Sequence, residues 1–315
     1  METHNNAEGR QAVPLTSDLV FTYVFCGEQS TRYLRSLLSA IQEDAGYPAV
    51  AAVAIANPFN LQDAEDAKLS VVDVRATDVN GVTFTVEAQS TNHHAFGSRV
   101  LYNWAKTYGA QLQEGDFYTT LKPVVGMNLL DFRLFPEEMG APLHTTFVPS
   151  CVQKPALPPL PDLVLHFLEL PQYDRHSAPV STALERWLYF IVNRGRADAM
   201  EDPVMKQILK ESPDIAEAER RYEEFVADEQ LRSRLDARDK FIRTQAQLLH
   251  DAEHEGIEQG LEKGREQGIE TGLEQGREEE REKRRETARR LKAKDMSIDE
   301  IAAVTDLPEE EIREL

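Results

Sequence analysis

The chain has 315 residues, 41% hydrophobic and 29% charged, a soluble globular composition with ample length to bury a core. No stretch approaches the ~20 consecutive apolar residues of a membrane span, and the polar segment Met1–Arg10 lacks the apolar core of a secretion signal. A net charge of −20 argues against coating nucleic acid through an overall field, but leaves room for a grip through a local patch or metal ions.

Two cysteines, Cys26 and Cys151, are too few for a disulfide framework and read as buried thiols, so a cytoplasmic location is expected. Both parts of the chain are acidic, residues 251–315 holding 21 acidic and 12 basic side chains and the first 250 the remaining excess of acid. The exception is Arg281–Lys294, which carries eight basic residues and only Glu282 and Glu286 against them.

In chain order, residues 1–15 read as a disordered tail. Ser17-Asp18 starts a helix in which Phe21, Phe25, Leu34, Leu37, Leu38 and Ile41 recur at helical spacing, with an interruption at Gly27. Val50–Phe59 reads as a strand. Val72, Val74 and Ala76 alternate with Asp73, Arg75 and Thr77, and Phe84, Val86 and Ala88 alternate with Thr85, Glu87 and Gln89, which predicts a hairpin around Asn80-Gly81. A two-residue turn would mix the two faces. A three-residue loop, Val79-Asn80-Gly81, with a left-handed Gly81, aligns them and sets Asp73 opposite Glu87.

An amphipathic helix follows over Phe96–Leu112, then apolar strands over Pro123–Phe135 and Leu163–Leu170, separated by the proline-rich connection Lys154–Pro161. Helices are expected over Leu184–Val192, Pro203–Leu209 and from Asp214 towards Leu249. Residues 256–280 repeat with a glycine at every fourth position from 256 to 276. Each glycine costs an isolated helix about 1 kcal/mol, so their regularity points to close approach by another helix, with homo-oligomerisation expected through 214–292. A period of four disfavours a left-handed heptad coil. Basic stretch 281–294 is expected either to bind DNA or to pair with the acidic helix of a neighbouring chain. In the last segment, Ser297 and Glu300 form a capping box, and two short helices read as a packing cap. The second is too acidic, with Glu309, Glu310, Glu311 and Glu314, to read DNA.

The residues that ask for a mechanism are Asp73 and Glu87-Ala88-Gln89. Two facing carboxylates make an oxygen-rich site for Mg²⁺ or Mn²⁺, the Ala88 carbonyl can add a ligand, and Gln89 can orient the attacking water. The chain also resembles the recombination-promoting nuclease family, the PD-(D/E)XK nuclease family transposases. The resemblance runs through DLVFTYVF (18–25), VVDVRATDVNGVTFTVEAQ (71–89), the segment from Phe96 to Phe132, LHFLEL (165–170) and the glycine-repeat tail.

That resemblance implies an α/β, restriction-endonuclease-like mixed sheet flanked by helices, followed by an extended helical C-terminal region, and metal-dependent cleavage of DNA linked to recombination or mobile elements. The chain is expected to divide into a tail 1–15, the nuclease core 16–175 that the resemblance implies, a helical region 176–250, a charged glycine-repeat helix 251–294 and a cap 295–315. The family's active-site aspartate falls on Asp73 and its E-x-Q on Glu87 and Gln89. Asp18 matches a supporting acidic position and Arg99 a recurrent arginine suited to a phosphate contact. Thr22 stands where the family often has lysine. His93-His94 read as ordinary loop residues, and Tyr102, Trp104 and Tyr108 as helix residues with core-like spacing. An alternative is a catalytically weak or inactive nuclease-fold scaffold that oligomerises through its C-terminal helices.

Overall fold

The protein is described by a computed structural model covering residues 13–56, 74–92, 95–173, 180–196 and 198–315. Two compact units divide the chain after Asp236.

The first unit begins with α1 (Asp18–Phe25) and α2 (Thr31–Asp44). The expected break near Gly27 is present as a short 3-10 turn, Glu28–Ser30. Ser30 holds it: its hydroxyl donates to the Val24 carbonyl at 2.6 Å and accepts the Gly27 N–H at 3.1 Å. Strand β1 (Val53–Ile55) is shorter than the sequence pattern indicates, and residues 57–73 lie outside the described residues.

Strands β2 (Val74–Asp78) and β3 (Thr83–Gln89) form the hairpin in the expected register, with Val74 opposite Val86 and Thr77 opposite Thr83. Asp78 builds the turn: its N–H donates to the Val82 carbonyl, while its carboxylate accepts the backbone N–H groups of Asn80 and Val82, both at 2.8 Å. Gly81 adopts φ +84°, a left-handed value that only glycine takes without strain.

Helix α3 (Phe96–Gly109) crosses over from β3 to β4 (Val124–Leu130), which pairs parallel to β3. Beyond it, β6 (Leu163–Glu169) pairs parallel to β4, and β5 (His144–Phe147), a strand the sequence pattern did not indicate, lies antiparallel on the outer edge. Among the described residues the sheet therefore has six strands, in the order β1-β2-β3-β4-β6-β5. Its Val74, Ala76, Phe84, Val86 and Met127 side chains belong to the main core, with Phe21, Phe25 and Leu37 from the first two helices. A smaller core beneath α3 joins Phe96 and Val100 to Leu130, Leu165 and Phe167.

Three more helices, α4 (Ala183–Asn193), α5 (Pro203–Glu211) and α6 (Pro213–Ala227), pack into the main core through Trp187, Met205 and Phe225. Side chains from before and after position 175 thus share one core. Residues 13–15, which the sequence pattern places in the tail, are packed. Val13 and Leu15 are buried, and the Tyr222 hydroxyl donates to the Val13 carbonyl at 2.6 Å. Gly195 makes room for this segment, since a Cβ there would lie 2.9 Å from both Pro14 Cα and the Val13 oxygen. Both obstacles are backbone atoms, so Gly195→Ala is expected to cost about 1–3 kcal/mol of stability, measured by urea denaturation; an unchanged midpoint would count against the packing of residues 13–15.

At the outer sheet edge, His166 is fully buried on β6. Its Nδ1 lies 3.0 Å from His144 Nε2 and 3.1 Å from Thr146 Oγ1, and His144 Nδ1 lies 2.6 Å from an Asp44 carboxylate oxygen. Burial, reinforced by His144, pushes the His166 pKa from 6.5 down to about 3. The fold therefore holds it neutral, while the unfolded chain takes up a proton as pH falls below 6.5. Between about pH 7 and about pH 5 this one group should remove about 2 kcal/mol of stability. Denaturation of His166→Leu across that range should show a shallower loss than the wild type, and equal slopes would refute the assignment.

The long helix α7 spans Glu229–Lys292 and is followed by α8 (Ile298–Thr305) and α9 (Glu309–Glu314). Its start is separated from α6 by Asp228, whose carboxylate accepts the N–H groups of Gln230 and Leu231. In the second unit, α8 and α9 close on the end of α7 through Ala288, Ile301, Leu307 and Ile312. The capping box forms as expected: Ser297 Oγ accepts the Glu300 N–H, and the Glu300 carboxylate accepts the Ser297 N–H.

The basic stretch takes a third course that the sequence reading did not include. Arg281 and Arg285 pair with Glu311 at 3.0 and 2.6 Å, Arg284 pairs with Asp306 at 3.2 Å, and Lys292 donates to the carbonyls of Ile312 and Arg313. The acidic character of α9 thus serves to hold it against the basic end of α7.

Candidate active site

β3 alternates, and its polar residues Thr85, Glu87 and Gln89 share the face opposite Phe84, Val86 and Ala88. Through the parallel register, Glu87 is level with Asn128 and Gln89 with Leu130. Glu87 is 6% exposed, an unusual position for a carboxylate without compensation.

The compensation comes from α3. Its fourth residue, Arg99, sits one turn in, with its N–H on the Ala95 carbonyl at 2.9 Å. Arg99 Nη2 donates to Glu87 Oε1 at 2.5 Å and to Gln89 Oε1 at 2.6 Å. The guanidinium lies 5.4 Å from the centre of the Phe96 ring. With its oxygen turned to Arg99, the Gln89 amide points its nitrogen at the Thr91 carbonyl, 3.3 Å away. Two side chains of the E-x-Q segment therefore converge on one nitrogen atom of the following helix.

The backbone also has a direction here. Gln89's carbonyl accepts the Asp131 N–H at 2.9 Å, so alternate carbonyls of β3 serve β4, and the Ala88 carbonyl between them faces the β2 side. Asp131, which the sequence reading did not single out, borders the site at the end of β4 and accepts the Thr16 hydroxyl at 3.3 Å. Its signal was available: an acidic residue directly after an apolar strand, at the carboxyl end where α/β sheets place their ligands.

Of the other expected residues, Asp73 lies outside the described residues, as do His93 and His94. Asp18 is the first residue of α1, after the N-cap Ser17. Thr22 is buried on the same helix. Trp104 and Tyr108 stack with ring centres 4.9 Å apart and are tied down, Trp104 to the Val124 carbonyl and Tyr108 to the Asp162 carboxylate. Tyr102 departs from the core-like spacing and is 64% exposed.

Among the described residues no group of three or more His, Cys, Asp or Glu side chains assembles into a metal site. Glu87 supplies a buried carboxylate and Ala88 a carbonyl, hard oxygen donors of the kind Mg²⁺ and Mn²⁺ take, so the donor chemistry present fits such an ion.

Two helices, three antiparallel strands, a crossover helix and a parallel fourth strand, with E-x-Q on the third strand, define a PD-(D/E)XK nuclease-like α/β fold. The chain belongs to the PD-(D/E)XK nuclease family transposases, whose family model matches residues 15–252. Neither the curated proteins nor the solved structures include a significant match.

Proposed function

We propose that the protein is a metal-dependent DNA endonuclease in which Asp73 and Glu87 hold Mg²⁺ or Mn²⁺ together with the Ala88 carbonyl. The observation that carries this reading is Glu87, a carboxylate buried beside Gln89 and Arg99 in a chain of nuclease-family descent. The β2–β3 register ends, in the described residues, at Val74–Val86.

A bound divalent ion would supply an activated water and stabilise charge on the phosphate. The chain's own residues then have separable tasks. Glu87 provides a buried carboxylate fixed on β3. Gln89 orients the groups around it: its amide can hold water or Arg99, but it carries no charge to offset a phosphate. Asp18 supports the site from α1. Hydrolysis would proceed by in-line attack of water on phosphorus, breaking the bond to the deoxyribose oxygen, which leaves and takes up a proton from solvent. The family points to roles in recombination or mobile-element biology. Plasmid nicking with Mg²⁺, Mn²⁺ or EDTA, beside Asp73→Ala, tests the reading. Cleavage that requires metal and Asp73 supports it, and cleavage unchanged in Asp73→Ala sinks the site assignment.

A second reading, a scaffold that oligomerises through its C-terminal helices, is favoured by one feature of α7. Ile257, Leu261, Ile269 and Leu273 are all more than half exposed, beside glycines with nothing within 4 Å of a Cβ position. Folded protein that never cleaves, and whose larger mass by light scattering falls in Leu261→Lys/Leu273→Lys, would make this the better reading.

A further inference from the structure

Arg99 does not make the two-pronged contact, two nitrogens on two oxygens, in which arginines frequently hold a carboxylate. Here one nitrogen, Nη2, reaches both Glu87 Oε1 and Gln89 Oε1, and the buried Nε–H of the same side chain donates to nothing. An orphaned buried donor costs about 1–3 kcal/mol, so this placement leaves the arginine under-satisfied. Gln89 draws it in: the amide oxygen accepts from the guanidinium, while the amide nitrogen is occupied by the Thr91 carbonyl. The arginine is also 30% exposed, against 7% for the Glu87 side chain, so it has a way out that Glu87 lacks.

From this geometry we infer that Arg99 is an internal competitor for the metal. It holds the Glu87 oxygen that a divalent cation needs, Gln89 keeps it there in the metal-free protein, and it withdraws when the cation is bound. Arg99 is in this sense a positioning residue that keeps a buried carboxylate neutralised until the metal arrives. The inference rests on the metal-binding reading of Glu87 given above.

The two are separable by measuring Mn²⁺ binding to the full chain by calorimetry, in wild type, Arg99→Met and Glu87→Gln. A structural loss would weaken binding, whereas removal of a competitor strengthens it. Arg99→Met should bind Mn²⁺ about ten- to a hundredfold more tightly, the worth of one charge-assisted hydrogen bond. Equal or weaker binding in folded Arg99→Met, with binding still lost in Glu87→Gln, overturns the competition and leaves the site reading standing. Binding that persists unchanged in Glu87→Gln, or is absent from all three proteins, overturns both. Because Arg99→Met leaves Glu87 buried without its cation and risks misfolding, a second measurement uses the wild type. The Arg99 guanidinium resonance, identified by its absence from Arg99→Lys, should shift and gain rotational freedom as Mg²⁺ is added. A resonance that does not respond while Mg²⁺ binds refutes the withdrawal.

Discussion

Glu87→Gln is expected to lower metal-dependent cleavage by about 10²–10³ or more, while the protein keeps its fold. The substitution preserves shape and leaves an oxygen that can still accept from Arg99 Nη2, so the link between β3 and α3 survives in neutral form. What disappears is the negative charge at the one carboxylate that β3 buries. An amide is a poor ligand for a hard divalent cation, and Arg99 gains a position with less electrostatic hold on it. The change in stability should stay within about 1–2 kcal/mol, the difference between a charged and a neutral hydrogen bond. Single-turnover plasmid nicking, read beside the near-ultraviolet circular dichroism of both proteins, checks the two halves separately. Wild-type cleavage by a folded Glu87→Gln protein would remove Glu87 from the chemistry.

The hairpin that carries Glu87 was legible because its information is local. Alternation fixed the faces, and Asp78, Asn80 and Gly81 supplied turn chemistry that admits only one consistent loop length. The parallel strands β4 and β6 were legible as continuous apolar runs, every residue of β4 being buried. What escaped was non-local. β5 is four residues at an edge, and its last two, Thr146 and Phe147, are exposed, so it carries no periodic signal of its own. Val13 and Leu15 sit in a polar N-terminal context, and only the space at Gly195 and the hydroxyl of Tyr222 give them a place.

The same limit applies to charge. Arg281–Lys294 reads as an unpaired basic run until α9 folds back and brings Glu311 to Arg281 and Arg285. Arg99 was marked as a site residue by resemblance, but nothing in the sequence says that one of its nitrogens joins the first and third residues of E-x-Q. That follows from the alternation of β3 and from α3 starting only seven residues beyond Gln89, at Phe96, and presenting Arg99 on its first turn.

Behind the sheet, the largest stability loss from a single substitution is expected at Arg194→Met, about 3–5 kcal/mol. Arg194 follows α4 and is almost fully buried; its Nε donates to Glu219 at 2.5 Å, its Nη2 to Glu223, and the guanidinium lies 4.3 Å from the centre of the Tyr222 ring. Glu219 is equally buried, and its Oε1 has no hydrogen-bond partner, so Arg194 is the main compensation for its charge. Burial already pushes the Glu219 pKa above the usual carboxylate range, with Arg194 opposing the rise. Removing the arginine lifts it further. A carboxyl whose folded pKa exceeds its unfolded value binds more protons when folded, so its penalty is full at neutral pH and fades as pH falls towards the unfolded value. The deficit of Arg194→Met should therefore be largest near about pH 8 and shrink towards about pH 5. In Arg194→Met/Glu219→Leu, no charge is left stranded at position 219, and most of the loss should be recovered. Urea denaturation of the three proteins over that range decides the matter. A deficit independent of pH would mean that Arg194 acts by packing on Tyr222. Since Tyr222 also anchors residue 13 and Phe225 meets Tyr23 of α1 edge-on at 5.3 Å, the stranded charge would loosen the support of the helix that begins at Asp18.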